Sequence, residues 1–260
     1  MTGITDPGIM RDHNEDALVL RRENGLAVLA DGMGGHQAGE VASAMAVDII
    51  ERSIGSALDG LAAQRPPERR AIKAMVTEAI QQANAAIHGQ ASSRAECGGM
   101  GTTVVVALFS GNRVCIGHVG DSRLYRYRAG HLEQLTEDHS MVQELLRRGL
   151  LTPEEARTST NKNLVTRALG VEPQVQVDIN EQGTQKDDVY LLCSDGLSDV
   201  LSDSDIELLL RTFGGNLEDA ARQMVTEANS KGGPDNISVI LIHTGKRFVR
   251  RRPRPEDGDK

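Results

Sequence analysis

The chain switches between two hydrophobic rhythms. Residues 15–30 carry short apolar runs on either side of Glu23-Asn24-Gly25, and Asn-Gly suits a tight hairpin, so a strand pair is predicted. From about Gln37 to Ala63 the period becomes helical, with Val41, Met45, Ile49, Ile50, Ile54, Leu58 and Leu61 on one stripe. Pro66-Pro67 opens a second helix, whose stripe is Ile72, Met75, Val76, Ala79, Ile80, Ala83 and Ile87. Both stripes read as core-facing. Strands resume at Thr102–Phe109, Arg113–Val119, Arg123–Tyr127 and His131–Thr136, each short, β-branched or alternating, with glycines in the turns. A polar, partly helical stretch follows to about Asn163. Strands at Val175–Ile179 and Asp188–Cys193, helices at about 203–212 and 216–230, and a strand at Asn236–His243 complete the pattern.

This order lacks the βαβ alternation of a doubly wound sheet. It predicts an α+β fold with helices outside antiparallel sheets, in one domain over residues 1–245. Residues 140–165 are polar, contain Gly149 and Pro153 and end in Thr-Ser-Thr-Asn-Lys-Asn, so they are expected to form a flap. Residues 246–260 turn basic and then acidic and read as a solvated tail.

Composition narrows the function classes. The net charge is −8, which disfavours phosphate backbones, and aromatic residues make up only 2%, which leaves little for base stacking. Cys97, Cys115 and Cys193 are odd in number and lack a C-x-x-C pair. They fit a reducing compartment and read as buried small hydrophobes. No apolar run follows Met1, and the longest apolar stretch, Val104–Phe109, falls far short of the ~20 residues that span a bilayer. A soluble cytoplasmic protein is expected.

The acidic residues sit where chemistry would need them. Leu26–Ala30 runs into Asp31-Gly32-Met33-Gly34-Gly35-His36, Val189–Cys193 into Ser194-Asp195-Gly196, and Cys115–Gly120 into Asp121-Ser122-Arg123, while Asp235-Asn236 leads into Ile237–Ile240. Asp-Gly pairs often mark nothing more than turns. Four carboxylates on the lips of buried strands, however, are costly unless neutralised, and oxygen-only donors suit Mg²⁺, Mn²⁺ or Ca²⁺ rather than zinc. Nucleotide loops are excluded: Gln37 stands where the last glycine of G-x-G-x-x-G belongs, and Gly99–Thr103 lacks the P-loop lysine. Ser194 is not in a G-x-S-x-G elbow, which excludes that serine-hydrolase motif.

Over residues 3–244 the chain resembles bacterial metal-dependent Ser/Thr protein phosphatases of type 2C. The resemblance is carried by Arg11-Asp12-His13-Asn14-Glu15-Asp16, Asp31-Gly32-Met33-Gly34-Gly35-His36, Gly99-Met100-Gly101-Thr102-Thr103, Gly120-Asp121-Ser122-Arg123, Ser194-Asp195-Gly196-Leu197 and Asp235-Asn236. It implies a four-layer α-β-β-α sandwich and a site for two Mn²⁺ or Mg²⁺ ions, with room for a third. Asp31 would bridge the first two ions, and the Gly32 carbonyl would hold the first. Asp195 and Asp235 would hold the second, with Glu15 and Asp16 acting through waters, and Asp121 together with Asp195 would hold the third. Arg11 would grip the substrate phosphate with two parallel donors.

The implied activity is hydrolysis of phosphoserine and phosphothreonine in proteins by a metal-activated hydroxide, opposing a Ser/Thr kinase, in a monomer. The alternatives are a phosphatase of small phosphomonoesters and a phosphatase-like binding module without catalysis. Eukaryotic members place a histidine after the Asp-Gly pair, where this chain has Met33. His36 therefore becomes the candidate acid for the leaving alkoxide, and His13, His118 and His139 read as structural.

Overall fold

The computed structural model describes residues 1–34, 38–60, 68–93, 99–152, 155–156, 159, 164–213 and 215–245. The expected tail, His36, Cys97, Leu61, Pro66-Pro67, Pro153 and the Asn-Lys-Asn end of the flap lie outside these residues.

Two sheets stack face to face, and every strand pairing in them is antiparallel. One has the order β1 (Thr2–Asp6), β11 (Ile237–His243), β10 (Val189–Cys193), β7 (Arg123–Arg128), β8 (His131–Gln134). The other runs β2 (Asp16–Arg21), β3 (Leu26–Met33), β5 (Val104–Ser110), β6 (Arg113–Val119), β9 (Asp178–Gly183), with the short β4 (Gly101–Thr102) added at the end of β3.

The central strands are buried on both faces, and their alternation sorts side chains into three layers. Leu26, Val28 and Ala30 of β3 and Val104, Val106 and Leu108 of β5 face α1 (Ala38–Asp59) and α2 (Arg69–Ser93). Ala27, Leu29, Val105, Ala107 and Phe109 point the other way, into the space between the sheets. There they meet Leu124, Tyr190, Leu192, Ile240 and Ile242 of the other sheet. Phe109 and Tyr190 pack edge to face at 5.2 Å, so aromatic residues, scarce in this chain, stand in its middle layer. Two short helices, α3 (Met141–Arg147) and α4 (Asp195–Ser198), come next in chain order, and on the far side Val189, Leu191, Cys193, Val239 and Leu241 face α5 (Asp203–Phe213) and α6 (Leu217–Ser230). The four-layer sandwich is thus built from period-2 patterning in strands wrapped by period-3.6 helices.

Three elements differ from the sequence reading. In α1 the buried face is Ala38, Gly39, Ala42, Ser43, Ala46, Val47, Ile50, Ile54 and Leu58, whereas Val41, Met45 and Ile49 are only partly buried. Small residues let the helix approach the sheet closely, so its seat lies one position round from the large apolar ones. Strand β9 begins three residues later than predicted and runs through polar Asn180-Glu181-Gln182. It is an edge strand, held by register with β6 rather than by apolar alternation. The N-terminal strand β1, carrying only Ile4 as a large apolar residue, was not predicted at all and pairs with β11.

Gly117 of β6 shows how tightly the layers meet. A Cβ there would lie 2.6 Å from Val76 Cγ1 and 3.0 Å from Ile80 Cδ1 of α2. Gly117→Ala is therefore expected to lose about 1–3 kcal/mol in urea denaturation, as overpacked cores do. Gly183→Ala, where nothing stands within 4 Å, serves as the control and should stay within about 0.5 kcal/mol of the parent.

Candidate active site

Every acidic residue singled out in the sequence reaches the same edge of the sandwich. Asp16 opens β2 and Asp31 lies directly opposite it near the end of β3. Asp195 follows β10 as the first residue of the one-turn helix α4 (Asp195–Ser198), Asp235 precedes β11, and Asp121 follows β6. Strands from both sheets therefore contribute, and the Asp195 carboxylate lies within hydrogen-bond reach of Asp31.

Backbone contacts hold the acids in place. Asp31 O accepts from Thr103 N–H at 2.8 Å and from Thr102 Oγ1–H at 2.8 Å, and Asp31 N–H donates to Thr103 Oγ1 at 3.2 Å. Gly32 N–H donates to Glu15 O at 3.0 Å, tying the Arg11–Asp16 loop to β3. A side chain at Gly32 is impossible without movement, since its Cβ would fall 2.1 Å from Gly39 O at the start of α1. The central connector is Asn236, which went unassigned in the sequence. Its Nδ2 donates to Pro7 O and His13 O, both at 2.9 Å, and its Oδ1 accepts from Glu15 N–H at 2.8 Å. One buried amide thus joins the Asp235 loop to the Arg11–Asp16 loop. The only sequence signal for it was its place directly after Asp235.

Burial and mutual repulsion dominate the electrostatics. Burial, then the neighbouring acids, pushes Asp16 up to about 7 despite the hydrogen bond from Ser194. Asp121 is pushed up to about 7 by burial and then by Asp195, and Asp195 to about 6 by burial and then by Asp199 and Asp235. Asp31, surrounded by Asp16, Asp195, Asp121 and Asp235, is raised well above the carboxylate range, again by burial first. Asp16 Oδ2 accepts from Ser194 Oγ–H at 2.8 Å, but Asp16 Oδ1 is buried with no hydrogen-bond partner. An orphaned carboxylate oxygen among repelling acids is what a site made for hard cations leaves when only the protein is considered.

Arg11 NH2 donates to Asp235 Oδ2 at 2.7 Å, and its side chain remains half exposed. It is therefore the positive group at the rim, paired with an acid. Both described thiols are buried and kept in the neutral form, since burial pushes Cys115 up to about 11 and Cys193 up to about 12. His13 is exposed, with only its carbonyl engaged by Asn236.

His118 and His139 belong to a second buried cluster next to Asp121, with their rings stacked at 4.7 Å. Nitrogens of both rings and an Asp178 oxygen lie within 4.8 Å of one another. A cation is already present there, because Arg167 NH1 donates to Asp178 Oδ1 at 2.8 Å and lies 3.0 Å from His139 Nε2. With His118 Nε2 on Glu137 O at 2.9 Å and His139 Nδ1 on Gly120 N–H at 3.0 Å, this cluster is a hydrogen-bonded one.

Among the described residues no helix is long and apolar enough to cross a membrane. The protein phosphatase 2C family model matches residues 11–234. The serine/threonine phosphatase stp of Listeria welshimeri is 41% identical over 241 residues, covering 92% of this chain and 93% of that protein. The crystal structure of the Mycobacterium tuberculosis serine/threonine phosphatase PstP/Ppp superposes with a TM-score of 0.83 at 36% identity, covering 94% of this chain and 97% of the other. The catalytic domain of PstP in complex with two manganese ions superposes with a TM-score of 0.76 at 38% identity, covering 92% and 95%. Matched along nearly its whole length in sequence and in fold, the chain belongs to the protein phosphatase 2C family.

Proposed function

We propose that the chain removes phosphate from phosphoserine and phosphothreonine in protein substrates, using Mn²⁺ or Mg²⁺ held by the carboxylates at the sheet edge. The observation that carries this reading is the orphaned Asp16 Oδ1 within a cluster of mutually repelling acids, Asp16 and Asp121 buried and Asp31, Asp195 and Asp235 partly so, where the donors are all oxygen. Divalent cations bound there lower the pKa of a coordinated water, so that a nucleophile is available near neutral pH.

The chain's own groups divide the remaining work. Asp31, Asp195 and Asp235, with the Gly32 carbonyl, would hold the inner ions. Glu15 and Asp16 would act through coordinated waters, and Asp121 with Asp195 would hold a further ion. Arg11, which rests on Asp235 at the rim, would offer its guanidinium to the phosphate and orient phosphorus for in-line attack. His36 is the residue assigned to protonate the leaving alkoxide. Residues 140–165 act as a flap that meets the protein substrate. Phosphoproteins supplied by a Ser/Thr kinase, a monomeric enzyme and a cytoplasmic setting complete the reading.

Hydrolysis of p-nitrophenyl phosphate and of a phosphothreonine peptide, each with and without Mn²⁺, tests the proposal. Metal-dependent turnover of both is expected. Turnover of neither would favour a phosphatase-like binding module, and turnover of the small ester alone would favour a small-molecule phosphatase.

The pairing of Arg11 with Asp235 separates two variants. Arg11→Ala removes a competitor for Asp235, so its Mn²⁺ half-saturation should stay put or move lower while kcat/KM falls. Asp235→Asn removes an oxygen donor, so its curve should move to higher Mn²⁺ by about 10-fold or more, with kcat depressed. Opposite shifts in activity measured against Mn²⁺ concentration would overturn this division of roles.

The raised carboxylates also set a pH dependence. Their folded pKa values of about 6 to 7 lie above the unfolded value of about 4, so the metal-free fold takes up protons in that window and loses stability as pH rises through it. His118 and His139, both lowered by burial, act in the opposite sense over the same range, but cation binding need not touch them. The increase in Tm on adding Mn²⁺ to chelator-treated protein should therefore grow between about pH 6 and 8, because the carboxylates must be ionised to bind.

A further inference from the structure

The segment that leads into the flap is zipped onto the turn that carries Asp121. Leu124 N–H donates to Thr136 Oγ1 at 3.0 Å. Arg123 grips Asp138 through Nε at 3.0 Å to each carboxylate oxygen and through NH2 at 2.7 Å to Oδ2. At the end of the zipper, His139 N–H donates to Gly120 O at 3.0 Å, and Gly120 N–H donates back to His139 Nδ1 at 3.0 Å. An imidazole nitrogen thus stands where a strand partner would offer a carbonyl.

Gly120 has little freedom to settle differently. Its φ is +107°, and a Cβ there would lie 2.5 Å from Thr103 Cβ. Thr103 in turn bonds Ser122 Oγ at 2.7 Å and Asp31 N–H at 3.2 Å. The flap's return is anchored to His139 and to its neighbours on either side of the zipper. Thr166 N–H donates to His139 O at 2.8 Å, Ser140 bridges Val165, and Leu169 exchanges backbone hydrogen bonds with Thr102.

The hydrogen bonds define the tautomer of His139. Because Nδ1 accepts from Gly120 N–H, the proton of the neutral ring is on Nε2. Nε2 lies 3.3 Å from Asp178 Oδ2, which accepts that proton. Arg167 NH1 also lies 3.0 Å from Nε2, but its two hydrogens have oxygen acceptors in Asp178 Oδ1 at 2.8 Å and Gln176 O at 3.2 Å, so with Nδ1 taken by Gly120 the Arg167 approach to Nε2 is a contact and not a donation. Asp178 itself is placed by the β6–β9 register, directly opposite His118.

We propose that His139 is a positioning residue: locked by Asp178 in its Nε2–H form, it holds the Gly120 amide through Nδ1 and so sets the aim of the Asp121 carboxylate at the base of the flap. The proposal rests on the reading of Asp121 as a cation ligand. In its consequence, the outer cation and the flap share one anchor.

Amide isosteres of the two ring nitrogens test it. Asn places Oδ1 near the position of Nδ1, whereas Gln reaches the position of Nε2 and leaves the Gly120 amide without a partner. Calorimetric titration of the full chain with Mn²⁺ should show that Asp121→Ala loses the weakest class of sites. His139→Gln should weaken that class by about 10-fold, the scale of disturbed outer contacts to metal ligands, and His139→Asn should recover most of the loss. Asp178→Ala, a half-exposed change away from the turn, leaves Arg167 to donate to Nε2 and drives the proton onto Nδ1. It should reproduce the His139→Gln titration.

Long-range ¹H–¹⁵N spectra of the imidazoles should report protonated Nε2 in the parent and protonated Nδ1 in Asp178→Ala. Equal effects of Asn and Gln, or a parent ring protonated on Nδ1, would overturn the positioning role. If Asp121→Ala alone leaves the titration unchanged, the ligand reading of Asp121 fails and the proposal falls with it. If Asp121→Ala shifts it while His139→Gln and Asp178→Ala do not, only the role of His139 fails.

Discussion

The structure is organised around one unfavourable contact: Asp16 and Asp31 face each other across adjacent strands, with Asp195 beside them, in a place mostly shut off from water. Burial raises both carboxylates first and the neighbouring acids raise them further, so the ionised forms are disfavoured where the two strands meet. The rest of the fold keeps that contact from relaxing. Three apolar layers fix the sheets, and Thr102, Thr103, Ser194 and Asn236 hold the strand ends that carry the acids. Strain concentrated at one edge and offset by packing elsewhere is the arrangement expected of a preorganised metal site.

The layers were legible in the sequence because their cause is local. The α2 stripe, from Ile72 to Ile87, is buried as read, since a helix of large apolar residues leaves no ambiguity about its seat. The α1 stripe was read in part: Ile50, Ile54 and Leu58 are buried as expected, whereas alanines and Gly39 carry the rest of the contact and leave Val41, Met45 and Ile49 at its edge. Strands β1 and β9 escaped prediction or slipped, since both are short edge strands whose stability comes from the neighbour's ladder rather than from their own pattern.

The site divides along the same line. The acids at strand ends stood out because a carboxylate after a buried apolar run needs a reason. What holds them did not stand out. Asn236 connects residues 7, 13 and 15 across more than 200 positions, and His139 meets Gly120 and Asp178 from distant segments. An asparagine or histidine looks alike in sequence whether it faces solvent or anchors a loop. Only the topology brings its partners together, so the groups that bear charge were readable and the groups that aim them were not.

Arg11 shows why this distinction matters for catalysis. Its guanidinium rests on Asp235, an acid assigned to a metal, so the metal-free protein supplies its own partial neutralisation at the rim. Its guanidinium meets Asp235 at the rim, whereas Asp16 takes its hydrogen bond from the Ser194 hydroxyl and, among the described residues, meets no cationic side chain. On the proposed assignment of roles, Asp235 would serve a cation and Arg11 a phosphate, so the Arg11–Asp235 pair is a contact that metal loading would break. A cation held by the inner acids would offset their repulsion and leave Arg11 available to a phosphate, so that metal loading and the phosphate grip would be coupled through one ion pair.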